Sequence, residues 1–109
     1  MSNELASDST PRQPATSEQQ LDNGVVRVTK WTFAPGTETG SHVHEFDYVV
    51  VPVTTGTLTI ESAQGATPSP IVLGRSYNRS AGVEHNVVNL TDAEVAFVEI
   101  ELLEHNISS

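Results

Sequence analysis

From residue 25 onward the chain alternates short apolar runs with small polar breakers, and no stretch shows a sustained helical period. Residues 25–33 are rich in Val, Thr and aromatics and predict a strand, which Ala34-Pro35-Gly36 ends. Residues 42–53 predict a second β segment, whose run Tyr48-Val49-Val50-Val51 is too apolar for a strand with one solvated face. Thr54-Thr55-Gly56 turns the chain into a strand at 58–61. The small-residue stretch 62–70, with Gly65 and two prolines, reads as a loop. Further strands are expected at 71–73, 77–79, 84–88 and 95–103, separated by Gly74, Gly82 and residues 89–92. Six to eight short strands at this spacing predict an all-β barrel or sandwich. Pro52 cannot donate a ladder hydrogen bond, which points to an edge or a bulge.

The first 20 residues change this picture. They are almost all Ser, Thr, Gln, Pro, Ala, Asn and acid, with Leu5 as the one large aliphatic before Leu21. Such a segment cannot bury enough apolar surface to repay its ordering, so residues 1–20 read as a disordered tail and 21–109 as the folded domain. The tail lacks the basic start and apolar core of a signal peptide, and no segment is apolar for long enough to span a bilayer. A cytoplasmic protein is the expectation. A formal charge of -9 with five basic residues would repel a phosphate backbone, so nucleic acid is not expected as a partner, and with no spanning stretch neither is a membrane. The absence of cysteine removes disulfides, thiolate ligands and thiol nucleophiles together. A domain this small has a marginal core. Val25, Val26 and Val28 give its first strand apolar residues on both faces, so a homodimer is expected.

Candidate chemistry sits in two Gly-framed clusters. His42 and His44 are two apart, which on a strand aims both imidazoles at one face. His85 follows Gly82 on a later strand. Three imidazoles converging in a small β-structure suit one divalent transition metal with open coordination positions. Imidazole donors do not choose among Fe, Ni, Zn, Mn and Cu.

The two clusters resemble the two motifs of the cupin family, G-x5-H-x-H-x3,4-E-x6-G and G-x5-P-x-G-x2-H-x3-N. Gly36, His42, His44 and Gly56 fit the first, and Gly74, Gly82, His85 and Asn89 fit the second. The resemblance implies a double-stranded β-helix, or jelly roll, with the three histidines holding a metal in the barrel mouth. Two positions depart from the pattern. Ser80 stands where the second motif has proline, and Tyr48 or Val49 stands where the first has its glutamate ligand. The extra residue before Gly56 suggests a bulge near Pro52. On a regular strand Tyr48 shares the face of His42 and His44, whereas Glu45 and Asp47 point the other way unless the strand bulges. A fourth ligand would be Tyr48 or Asp47, and Tyr48 could equally be packing or a hydrogen-bond donor beside the metal.

Arg79 shares the parity of Tyr77 on the strand leading to Gly82. Facing inward, it would grip a substrate carboxylate with two donors; facing outward, it would be a solvated or ion-paired surface residue. Trp31 and Phe33 share a face and read as core. Glu99 and Glu101, alternating with Val98, Ile100 and Leu102, read as one solvated strand face. His105 lies in the polar C-terminal segment and reads as a non-ligand. The resulting expectation is a mononuclear metal-binding cupin acting on a small organic acid. Oxygen-dependent, dioxygenase-like oxidation or isomerase/lyase chemistry would follow, with Tyr48 and Arg79 orienting the substrate. The alternatives are a non-enzymatic barrel that holds a metal or small ligand, and a metal-free structural barrel.

Overall fold

The computed structural model describes residues 12–103. Eleven strands and no helix make up the described residues: β1 Gln13–Pro14, β2 Thr16–Asp22, β3 Val26–Phe33, β4 Thr37–Glu38, β5 His42–Val43, β6 Tyr48–Pro52, β7 Gly56–Ser62, β8 Gly65–Ile71, β9 Tyr77–Arg79, β10 Glu84–Val88 and β11 Val95–Leu102. They form two sheets. One runs β1-β4-β10-β7-β8, with β5 also paired to β10; the other runs β2-β3-β11-β6-β9. The expected all-β barrel is the architecture found, with the core between the sheets.

Period-2 burial explains that core. Along β6 the residues Tyr48, Val50 and Pro52 are buried while Val49 and Val51 are half-buried. Facing them from the other sheet are Leu58 on β7, Ile71 on β8 and Val87 on β10. Phe33 is fully buried, and its ring lies 5.6 Å from that of Phe97. Truncating Phe33 to Ala would cost about 3–5 kcal/mol, the usual price of an aromatic-sized cavity. Gly56 must be glycine for a packing reason: a Cβ there would stand 2.9 Å from Val95 Cγ2.

Four sequence expectations change. The tail boundary at residue 20 moves: residues 13–14 and 16–22 are strands, while residues 1–11 lie outside the described residues. All seven residues of β2 are exposed, so the backbone ladder to β3 holds it rather than burial. The expected loop at 62–70 is mostly β8, the outer strand of a hairpin with β7. Pro68 and Pro70 are tolerated because this is a sheet edge; two residues apart, both turn their donor-less nitrogens the same way, outward. The expected β segment at 42–53 is two strands in different sheets, β5 and β6, joined by a bend at 44–47. Finally, Pro52 sits in neither an edge strand nor a bulge. It closes β6 beyond the last β9 pair, Val50↔Tyr77, with its carbonyl turned to Gly74 N on that side, so its missing donor costs no rung to β11.

Candidate metal centre and its cavity

Strand register brings the histidines together. His85 on β10 lies directly opposite His42 on β5. His44 is fixed just beyond by two backbone bonds: its N–H donates to Val83 O at 3.0 Å, and its carbonyl accepts from Gly82 N–H at 2.8 Å. Gly82 makes this turn at φ +92°, where a side chain would be strained. His42 Nε2 is 3.1 Å from His44 Nε2, which is 3.2 Å from His85 Nε2. Two nitrogens each about 2.1 Å from one ion stand about 3.0 Å apart at a right angle and about 3.4 Å apart at a tetrahedral one, so the His42–His44 and His44–His85 spacings suit ligands of one metal, and all three donor atoms lie within 4.8 Å of one another.

The surroundings prepare these nitrogens. Gly40 O lies 2.7 Å from His42 Nδ1; a carbonyl only accepts, so Nδ1 carries the proton and the neutral ring's Nε2 is a free lone pair. Asn86 Oδ1 accepts from Gly40 N–H at 2.8 Å and so holds the residue that orients His42. Burial, followed by the neighbouring imidazole and guanidinium charges, pushes both His44 and His85 down to about 4. Both rings are therefore unprotonated at neutral pH and able to ligate. Asn89, the last residue of the second motif, is not part of the site. Fully buried, it donates to Phe33 O and Ala93 O and accepts from Thr91, which ties down the loop after β10.

The histidines border a cavity of about 360 Å³ between the sheets. The facing sheet supplies its other wall. Tyr48 is 3% exposed, with its ring stacked on His44 at 4.0 Å. Burial and the Glu99 charge push its phenol up, which opposes a phenolate ligand in the metal-free chain. Tyr48 thus lies inward, as its parity to His42 and His44 suggested, although no regular strand connects them. Asp47, the other suggested fourth ligand, is placed elsewhere: its Oδ1 accepts from Ala81 N–H at 2.7 Å and braces the turn before β10. Glu45 lines the cavity from an exposed position. Arg79 faces inward, its guanidinium 5.3 Å from the centre of the Tyr77 ring. Trp31 also lines the cavity, whereas Phe33 is core. His105 lies outside the described residues.

Glu99 and Glu101 overturn the expectation of a solvated face: both line the cavity. Along β11 they continue the face of Val95 and Phe97, two buried residues, and that shared parity was the available signal. Burial, then the charge of Glu101, raises the Glu99 carboxyl to about 7. Glu101 is paired with Arg27 Nη1 at 3.2 Å.

Two facing strand sheets with three imidazoles at one cavity define a cupin barrel with a cluster that could hold a metal, and comparison with known proteins agrees on the fold. The structure superposes on a cupin domain from Bordetella pertussis Tohama I with a TM-score of 0.83 at 51% identity, covering 86% of this chain and 98% of that one. A Klebsiella pneumoniae protein with a double-stranded β-helix domain shares the fold at 19% identity and a TM-score of 0.69, covering 85% of this chain and 80% of its own. No family model matches the sequence. Over 91 residues the chain is 54% identical to the beta-alanine degradation protein BauB of Pseudomonas aeruginosa, an alignment covering 84% of this chain and 96% of BauB. The chain belongs to the family of small single-domain cupins that includes BauB. Among the described residues no helix is long and apolar enough to cross a membrane.

Proposed function

We propose that this chain is a mononuclear metal-dependent cupin acting on a small carboxylate, with His42, His44 and His85 holding one divalent transition metal. The observation that carries this reading is the convergence of three imidazole Nε2 atoms on a cavity whose other wall presents an inward Arg79. The bound metal would supply a Lewis-acid centre with positions open to substrate and, for iron, to dioxygen. Arg79 offers a two-pronged donor for a carboxylate, and its planar fork suits two oxygens better than a lysine would. Tyr48 packs against the His44 ring and fixes its plane. Buried apolar residues such as Val50, Leu58 and Phe97 close the cavity floor against water. The relatedness to BauB supports placing the reaction in the breakdown of β-alanine or a similar small acid, with oxygen-dependent oxidation as the preferred chemistry.

The test is metal analysis of the purified chain followed by a screen of small acids under oxygen. One transition metal per chain, with loss of an acid matched by oxygen uptake, supports the enzyme. Tight binding of an acid with no turnover would make the chain a binding module instead. A cytoplasmic homodimer belongs to the same proposal. The exposed β2 supports the dimer, because it leaves an unpaired row of backbone donors and acceptors at the edge of its sheet. Sedimentation at micromolar concentration should report about twice the chain mass; a monomer there would refute it.

A further inference from the structure

The cavity is lined by two groups of opposite charge type, Glu99 and Arg79, and among the described residues neither has an ion-pair partner; Arg79 rests on the Tyr77 ring. Glu99 is largely withdrawn from solvent on β11, and Arg79 lies on the same inner face on β9, with β6 between. The neighbouring carboxylate makes the contrast. Glu101 is satisfied by Arg27, which Asp22 holds in turn at 3.2 Å. Placing a charge in a cavity costs stability unless something pairs it, and Glu99 is withdrawn from solvent without an ion pair.

Register places the two groups in adjacent rows of one inner face. Arg79 on β9 pairs with Tyr48 on β6, which pairs with Glu101 on β11; Tyr77, Val50 and Glu99 form the adjacent row of inward residues. Arg79 and Glu99 therefore stand on a diagonal across one inner face, their strands two spacings or about 10 Å apart. Both residues line the cavity of about 360 Å³, which has room for a small ligand. Glu99 is also outside the cluster of ligand atoms formed by the three histidines.

We propose that the cavity selects a small zwitterionic amino acid, with Arg79 holding the carboxylate and Glu99 holding the ammonium. This rests on the carboxylate reading above and adds to it a second pole, which a deaminated acid cannot satisfy. A ligand with both charges neutralises both stranded groups at once. A simple acid would leave Glu99 unpaired, and a simple amine would leave Arg79 unpaired.

The experiment is calorimetric titration of the full chain, saturated with Zn(II) so that no oxidation proceeds, with β-alanine, propionate and n-propylamine. β-Alanine should bind at least about tenfold more tightly than either single-charge analogue, as expected when a charged partner is otherwise left unpaired. Glu99→Gln should remove that advantage over propionate without weakening propionate itself, and the chain should still take up Zn(II). Arg79→Gln should weaken β-alanine and propionate alike. A thermal melt of each variant confirms that it folds. Propionate binding as tightly as β-alanine would overturn the ammonium pole while sparing the carboxylate reading. Loss of Zn(II) in Glu99→Gln would overturn it by making Glu99 a ligand. Failure of both carboxylates to bind would overturn this inference and the proposed substrate class together.

Discussion

The two sheets of the barrel contribute unlike halves of one site. The β4-β10-β7 sheet, with β5, carries imidazoles fixed by backbone: His42 by Gly40 O, His44 by Val83 and Gly82, His85 by its pairing with His42. The β11-β6-β9 wall carries Tyr48, Arg79 and Glu99, held mainly by packing, and among the described residues Arg79 and Glu99 have no ion pair. The difference suggests a division of labour. The first sheet is built to be rigid before anything binds, as a metal requires. The second is left electrostatically incomplete, as a wall must be if a ligand is to complete it.

The largest expected effect comes from loosening the rigid half without touching a ligand. Asn86→Ala removes the acceptor that holds Gly40 and should lower metal affinity about 10- to 100-fold, the range for losing support behind a ligating histidine. A competitive chelator titration would measure it; unchanged affinity would mean that Gly40 holds His42 unaided.

Next comes the strain in the other half. Glu99 keeps its proton more tightly folded than unfolded, because its carboxyl is raised to about 7. Its burial therefore costs stability above about pH 7, and that cost fades as pH falls toward the ordinary carboxyl value. In metal-stripped protein, Glu99→Gln should stabilise the fold by about 1–3 kcal/mol at pH 8 and by little at pH 5. Urea unfolding at the two values checks the sign. A variant equally stabilised at both would show that Glu99 titrates normally.

The same contrast governs what could be read from the sequence. The imidazole half was legible because its spacing is local and its glycines mark the turns. Even so, Tyr48 faces the cavity for a reason that strand parity does not contain, since residues 44–47 cross between sheets rather than continuing a strand. The opposite wall was less legible. Glu99 and Glu101 look like surface residues unless their parity with Val95 and Phe97 is weighed above their charge. Strands β2 and β8 were hidden for a related reason. Neither declares itself by apolar alternation, because β2 is held by backbone pairing and β8 tolerates prolines at a free edge.

Smaller effects separate bracing from ligation. Asp47→Ala removes the acceptor for Ala81 N–H and should cost about 0.5–1.5 kcal/mol of stability, with metal stoichiometry unchanged. Loss of metal in that variant would restore Asp47 as a ligand. Smallest of all, Tyr48→Phe keeps the ring stacked on His44 and should change metal affinity by less than about threefold. A larger loss in the same chelator titration would show the phenol oxygen bonding at the metal.

The central claim is that three imidazoles from one sheet hold the metal. Its most direct test is the metal content of the full chain after exposure to a divalent transition metal and exhaustive dialysis, compared with His44→Ala and His85→Ala variants shown by circular dichroism to keep the fold. The account predicts one ion per wild-type chain and near-complete loss in both variants. Equal stoichiometry in wild type and variants would contradict it.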